Sequence, residues 1–253
     1  MEITSKKELK QKDPSIIIEH LYKSFGNNII LDDFSLTVGR EENVVVLGKS
    51  GSGKSVLIKC IIGLLKPEKG RIIVAGEDIT KLSYEALDKI RSKIGFLFQG
   101  NAIYDSMTIR ENLEFPLRRR WFKLTQAQID ANVKEALENV NLSHTMDMMP
   151  SELSGGMLKR IALARTMILK PEIILYDEPT TGLDPITARE IDDLIISLQK
   201  KYHTSSIIIS HDMNCVRKTA DRVALLLDGK CYAQGTYSEF ETSTDSNIKQ
   251  FFE

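Results

Sequence analysis

Val44-Val45-Val46-Leu47-Gly48-Lys49-Ser50-Gly51-Ser52-Gly53-Lys54-Ser55-Val56-Leu57-Ile58 is the stretch on which the fold turns. Its first four residues form a short continuous apolar run, the mark of a strand buried on both faces. Gly48 to Ser55 then fit G-x-x-x-x-G-K-[ST], and helical spacing follows to about Leu65. Glycines let a backbone wrap closely around phosphate, so that several N–H groups converge on it. A helix N-terminus adds partial positive charge. Lys54 is placed to reach the β- and γ-phosphates, and Ser55 to ligate Mg²⁺. The loop residues Gly48, Lys49, Ser50, Gly51, Ser52 and Gly53 supply the cradle. Strand, loop and helix in this order imply a site for a nucleoside triphosphate, without saying which class of protein uses it.

Outward from this loop the chain alternates strands and helices. Ile16–Ile18 and Ile29–Val38 read as antiparallel strands joined by the Gly26-Asn27-Asn28 turn. Pro67 and Gly70 are expected to close the helix after the loop, and Arg71–Ala75 and Ile94–Phe98 read as strands. Residues 105–170 carry helical spacing only. Ile129, Val133, Ala136, Leu137 and Val140 share a helix face, and Ser154 is a candidate cap for the helix that follows. After Pro171 the alternation resumes through Ile173–Tyr176, a helix from about Pro185 to Lys201, Ser206–Ser210, a helix from Asp212, and Val223–Leu227. Asp228-Gly229 then makes a hairpin to Cys231–Gln234. The fold class expected is α/β with a mostly parallel sheet and a helical insertion.

Composition bounds the function. The 253 residues carry a formal net charge of −1, which gives no bulk attraction to nucleic acid, so no nucleic-acid partner is expected. Cys60, Cys215 and Cys231 are scattered, without zinc or disulfide spacing, and read as small buried hydrophobes in a reducing compartment. Residues 1–14 read as a flexible tail without the apolar core of a signal peptide. No run is long and apolar enough to span a bilayer, so any membrane step needs another chain.

Ile173-Ile174-Leu175-Tyr176 ends in Asp177-Glu178. An acid at the end of the strand neighbouring a phosphate loop holds Mg²⁺, usually through water, and Asp177 fits that role. Glu178 is then placed to orient or deprotonate the attacking water.

With these residues in view, the sequence resembles the nucleotide-binding domains of ABC proteins. Leu153-Ser154-Gly155-Gly156-Met157 is similar to the signature LSGGQ, and Gln99 to the Q-loop glutamine. Gly182-Leu183-Asp184 is similar to the D-loop, His211 to the switch histidine, and Phe25 to the A-loop aromatic that stacks on adenine. The resemblance runs from about Ser15 to Gly235 and implies a P-loop NTPase (RecA-like) core, an N-terminal antiparallel β subdomain and an inserted helical subdomain. It makes 15–235 one nucleotide-binding domain and 236–253 a C-terminal tail. It implies ATP and Mg²⁺ as cofactors, with Gln99 linking the metal to the helical insertion and His211 contacting the γ-phosphate. Two chains would close on two ATP molecules. Ser154, Gly155 and Gly156 would cap the partner's γ-phosphate and Asp184 would organise the interface. Lys49 stands where many relatives carry proline, and Met157 replaces the usual glutamine, which the phosphate cradle does not need.

Met157 with Lys159-Arg160 resembles the ATPases of Mla/Mce-type systems, which move phospholipids or other lipids. So do Leu97 to Thr108, Asn112-Leu113, Phe115 to Arg118, Asp184 to Thr187 and Ile248 to Phe251. This implies an integral membrane permease partner, a Mce-type substrate-binding protein as a further candidate member, and a place on the cytoplasmic face of the inner (plasma) membrane. A coupling helix of the permease is expected in a groove lined by Met107, Ile109, Phe115 and Leu117, rimmed by Arg118, Arg119 and Arg120. Two alternatives stay open: the ATPase of an amino-acid or other solute importer, and a soluble non-transport ABC ATPase. A GTPase switch is disfavoured by the absence of an N-K-x-D guanine motif.

Overall fold

The computed structural model describes residues 14–119 and 123–252. The expected flexible tail at 1–14 falls, but for Pro14, outside the described residues, as does Arg120 of the proposed groove rim.

β1 (Ile16–Phe25) and β2 (Asn28–Val38) form the expected hairpin. β4 (Lys69–Val74) pairs antiparallel with β1, and the short β5 (Glu77–Asp78) completes a four-stranded sheet in the order β2-β1-β4-β5. The second sheet has six strands, in the order β10-β9-β3-β8-β7-β6. All but β10 are parallel: β3 (Asn43–Leu47), β6 (Ile94–Leu97), β7 (Ile173–Asp177), β8 (Ser205–Ile209) and β9 (Arg222–Leu227). All of β3, β7 and β8 is buried, which is why these strands read as unbroken apolar runs rather than as alternation. β10 (Lys230–Gly235) closes one edge as a hairpin, with Asp228 and Gly229 both at positive φ.

Two apolar cores flank this sheet. One holds α1 (Lys54–Ile61) and the antiparallel sheet, through Phe34, Leu57, Ile58 and Ile72. The other holds α5 (Gly155–Met167), α6 (Pro185–Tyr202), α7 (Met213–Thr219), α8 (Tyr237–Glu241) and α9 (Ser246–Lys249). Phe240 and Ile248 are buried there, so the segment after β10 packs on its own chain.

A third core belongs to the helical insertion: α3 (Ile109–Leu117), α4 (Gln126–Asn139) and part of α5. Ile129, Val133, Ala136, Leu137 and Val140 are all buried in it, as their helical spacing requires. The same core corrects the expected groove. Ile109 and Leu117 are buried inside the subdomain and line no surface, whereas Phe115 is exposed. α1 also ends sooner than its spacing indicates. Gly63 takes a positive φ two residues past the helix, where Cys60 and Lys59 carbonyls accept the N–H groups of 63–65. A short helix, α2 (Tyr84–Arg91), capped by Ser83, fills a stretch that carried no expectation.

Candidate functional site

The loop after β3 encloses one side of a cavity of about 530 Å³ at the carboxyl ends of the parallel strands. That is where an open α/β sheet leaves room for a ligand. Gly48, Lys49, Ser50, Gly51, Gly53, Lys54 and Ser55 line it, joined by Gln99, Glu178 and His211 from three further strand ends. The sequence-predicted phosphate, Q-loop, acidic and histidine positions thus converge on one space.

Gly53 is the N-cap of α1 at φ 103°, and a Cβ there would sit 2.7 Å from Ile30 Cγ2. Both the backbone conformation and the close approach exclude a side chain. No side chain caps this helix and no acid lies in its first turn. Its N-terminal N–H groups and partial positive charge remain available to an anion. The buried Lys54 folds back so that its ammonium donates to the carbonyls of Gly48 (2.7 Å) and Lys49 (2.9 Å). Burial pulls its pKa down, against the opposing pull of Glu178 and Asp177. This is a cation set up to gain from a multiply charged anion.

Asp177 is the last residue of β7. Ser55 Oγ donates to its Oδ1 at 3.3 Å. Burial raises the Asp177 pKa, with Ser55 opposing and the neighbouring Glu178 carboxylate adding to the rise. A buried carboxylate beside a hydroxyl offers the hard oxygen donors that Mg²⁺ takes, so these residues fit that ion. Ser52, whose N–H closes the loop turn on Lys49 O, keeps a buried hydroxyl with no hydrogen-bond partner among the described residues.

Glu178 sits at φ 53°, a left-handed conformation that costs a non-glycine residue about 1 kcal/mol or more. Its N–H donates to Ile209 O (3.0 Å), and Thr181 Oγ1 donates to Glu178 Oε2 (3.2 Å). The strained backbone turns the carboxylate out of the strand and into the cavity. There His211 Nδ1 lies 2.8 Å from the same Oε2. The arrangement gives a fixed carboxylate, a partly exposed imidazole and a lysine around one water-accessible space. Chemically it can hold a triphosphate and align a water against it.

The remaining predicted residues lie elsewhere. Ser154, Gly155 and Gly156 do not line this cavity. Ser154 and Gly155 are exposed at the N-terminus of α5, where Ser154 Oγ accepts from Met157 N. Gly156 is packed against α6, and a Cβ there would meet Thr187 Cγ2 at 2.7 Å. Asp184 caps α6, accepting from Thr187 Oγ1, Thr187 N and Ile186 N, and the hydroxyl bond first, then the backbone ones, lower its pKa. Phe25 stands at the end of β1, half exposed beneath the Lys23 ammonium, and is not a lining residue of the cavity.

Sequence reasoning missed two supports. Buried Lys159 donates to Gln99 O (3.2 Å), tying the helix that bears Ser154 to the strand end that bears Gln99. Its only signal was a lysine amid the apolar face of a helix. Phe251, far along the chain, also lines the cavity, and nothing local in its sequence announces that.

The family described as ABC transporter matches residues 31–181. A phospholipid-transport ATP-binding protein, MlaF of Haemophilus influenzae, is 38% identical over 93% of this chain and 89% of its own length. A probable ribonucleotide transport ATP-binding protein, mkl of Mycobacterium tuberculosis, is 39% identical over 94% of this chain, which spans 66% of that relative. Among solved structures, the dimeric ATP-binding cassette MJ0796 in a post-hydrolysis state with ADP and Pi superposes with a TM-score of 0.79. It is 31% identical, over 88% of this chain and 98% of that one. The phosphate loop, the acidic strand end and the histidine lie together in a cassette fold of this kind. The chain belongs to the ABC transporter family, as an ATP-hydrolysing cassette.

Proposed function

We propose that this chain works as a homodimeric motor that drives a separate membrane permease, with phospholipid or another lipid as cargo. The observation that carries the motor reading is the incomplete site. Phosphate loop, Gln99, Glu178 and His211 line one cavity, with Asp177 behind it accepting from the lining Ser55, while the Ser154-Gly155 helix end is exposed outside it. A second copy would bring that helix N-terminus onto the γ-phosphate, a natural anion site. The dimeric form of the cassette MJ0796 supports the pairing.

In this reading Gly48 to Gly53 cradle the phosphates and Lys54 neutralises the β- and γ-oxygens. Ser55, Asp177 and Gln99 would hold Mg²⁺, whose bound charge screens the transferring phosphoryl group. Glu178 orients and deprotonates the attacking water. His211 holds Glu178 through Oε2 and reaches the γ-phosphate. Phe25 would stack on adenine once the nucleotide bridges from the cavity to β1. Asp184 would meet the partner at the interface. Closure on ATP and release after hydrolysis move the helical insertion, which reports through Gln99 and Lys159.

Lipid cargo is supported by the likeness to MlaF, a phospholipid-transport protein; the mycobacterial relative is named for ribonucleotide transport. A permease coupling helix would seat between the core and the insertion, where Phe96, Phe98, Tyr104, Pro116 and Arg119 line a second cavity. Of the residues expected from sequence to form the groove, Arg119 lines this cavity, whereas Ile109 and Leu117 are buried in the insertion. No helix among the described residues is long and apolar enough to cross a membrane; the likeness to MlaF supports a peripheral place on the cytoplasmic face of the inner membrane. Isolating the intact membrane complex and identifying its subunits and bound lipid tests the cargo. A Mce-type subunit with phospholipid is expected, and a solute-binding protein with no lipid would favour the importer alternative.

A further inference from the structure

We infer that the segment after β10 forms a wall of the nucleotide cavity, with Phe251 as a positioning residue for ATP. The inference rests on the cavity being the ATP site. Phe251 lines that space together with Lys49, Ser50, Gly51 and His211, though it is remote from them in sequence. It is half buried, and it packs on the core formed by α5, α6 and α7.

The segment is held in place by specific contacts. Phe240 and Ile248 are buried anchors on either side of the bend between α8 and α9. Asp245 caps α9, accepting from Asn247 N at 2.7 Å. Tyr232 on β10 donates its hydroxyl hydrogen to Asp245 Oδ2 (2.8 Å) and accepts from Asn247 Nδ2 (3.1 Å). Phe251 N donates back to Ile248 O (3.1 Å), and the Phe252 ring packs on Tyr237 with centroids 5.4 Å apart. A clamp on β10 thus sets where the Phe251 ring stands relative to the loop.

An apolar ring at the edge of a charged cavity excludes water from one side of it. Less water strengthens the interaction of Lys54 and the loop N–H groups with phosphate. The ring also limits how far the Lys49–Gly51 turn can swing out. Both effects favour the ATP-bound state and neither touches the reacting atoms. The effect therefore belongs in ATP affinity rather than in the chemical step. By linkage, bound ATP steadies the segment in return.

The test uses the full chain. F251A is expected to raise the KM for ATP about fivefold with kcat nearly unchanged, as loss of uniform binding requires. F251L should restore most of the affinity. Y232F, which leaves the cavity lining intact and removes the clamp, should shift KM in the same direction by less. In a W121F background, which removes the sole tryptophan of the sequence, F251W emission should change on adding ATP. That change should saturate with the affinity measured by calorimetry and vanish with K54A. A KM unchanged in F251A, or lowered as for a plug, overturns the inference, as does F251W emission blind to ATP that calorimetry shows to be bound. If calorimetry finds no ATP binding to the unsubstituted chain, the nucleotide-site reading falls, and the inference with it.

Discussion

Glu178 is the residue at which structure and chemistry meet most directly. Its left-handed backbone, its Thr181 and His211 contacts and its position beyond β7 hold a carboxylate where water must attack. E178Q keeps the shape and loses the base. Turnover should fall by a factor of roughly 10² or more while ATP affinity stays near normal, measured by phosphate release and by calorimetry. K54A should instead weaken ATP binding itself. A second residue-scale prediction concerns Asp192, buried on α6 with Oδ1 unpartnered. Burial pushes its pKa up from 3.8 to about 6. The folded chain therefore holds that proton more tightly than the unfolded chain, and stability from this group is lost as pH rises between those values. D192N removes the titration. Its Tm relative to the unsubstituted chain should climb between about pH 4 and pH 6 and then level off, as followed by circular dichroism.

At the scale of elements, the loop from Gln99 to Thr108 is held by three side chains, with Lys159 bonding Gln99 O, Arg165 bonding Ala102 O and Asn112 making the most bonds. Asn112 on α3 is fully buried, its Oδ1 accepting from Tyr104 N and its Nδ2 donating to the carbonyls of Tyr104, Met107 and Thr108. Arg165 of α5 adds a bond to Ala102 O and lies over the Tyr104 ring. N112A removes the partners of Tyr104 N and Met107 O, while Tyr104 O and Thr108 O keep the backbone N–H groups of Met107 and of residue 112. It should cost about 2–3 kcal/mol of stability in urea unfolding and loosen the connection between the cavity and the insertion. The sequence marked Asn112 as part of a family-like stretch but gave no hint of this role, because all of its partners are backbone atoms. Helix ends were more legible. Ser154 caps α5 as expected, and Asp184, expected only at an interface, proves to cap α6. The end of α1 is set by Gly63 rather than by the more conspicuous Pro67: its positive φ turns the chain, and a Cβ there would meet Leu87 Cδ2 at 2.7 Å.

For the whole molecule the prediction is stoichiometric. K54A and a Gly156 variant carrying glutamate should each be inactive alone. When mixed, they should regain part of the ATPase rate, because one of the two composite sites in the heterodimer is intact. A mixture as dead as its components would mean that phosphate loop and signature act within one chain. E178Q should likewise elute as a dimer with Mg²⁺ and ATP and as a monomer without, by size-exclusion chromatography.

What the sequence determined by itself was the set of local devices: the buried strand before Gly48, the glycine loop, the acids at a strand end, the caps and the 3.6-residue stripe of α4. Each is fixed by backbone sterics or by a periodicity only a few residues long, and so is visible in a short window. What the tertiary structure decided was which devices share a space. Gln99, Glu178 and His211 reach the loop because β6, β7 and β8 lie side by side in one parallel sheet. Ile109 and Leu117 turn inward because α4 covers them, and Phe251 comes to the cavity because Tyr232 and Asp245 bend the chain back. Such juxtapositions depend on contacts between residues distant in sequence, and no local pattern carries them.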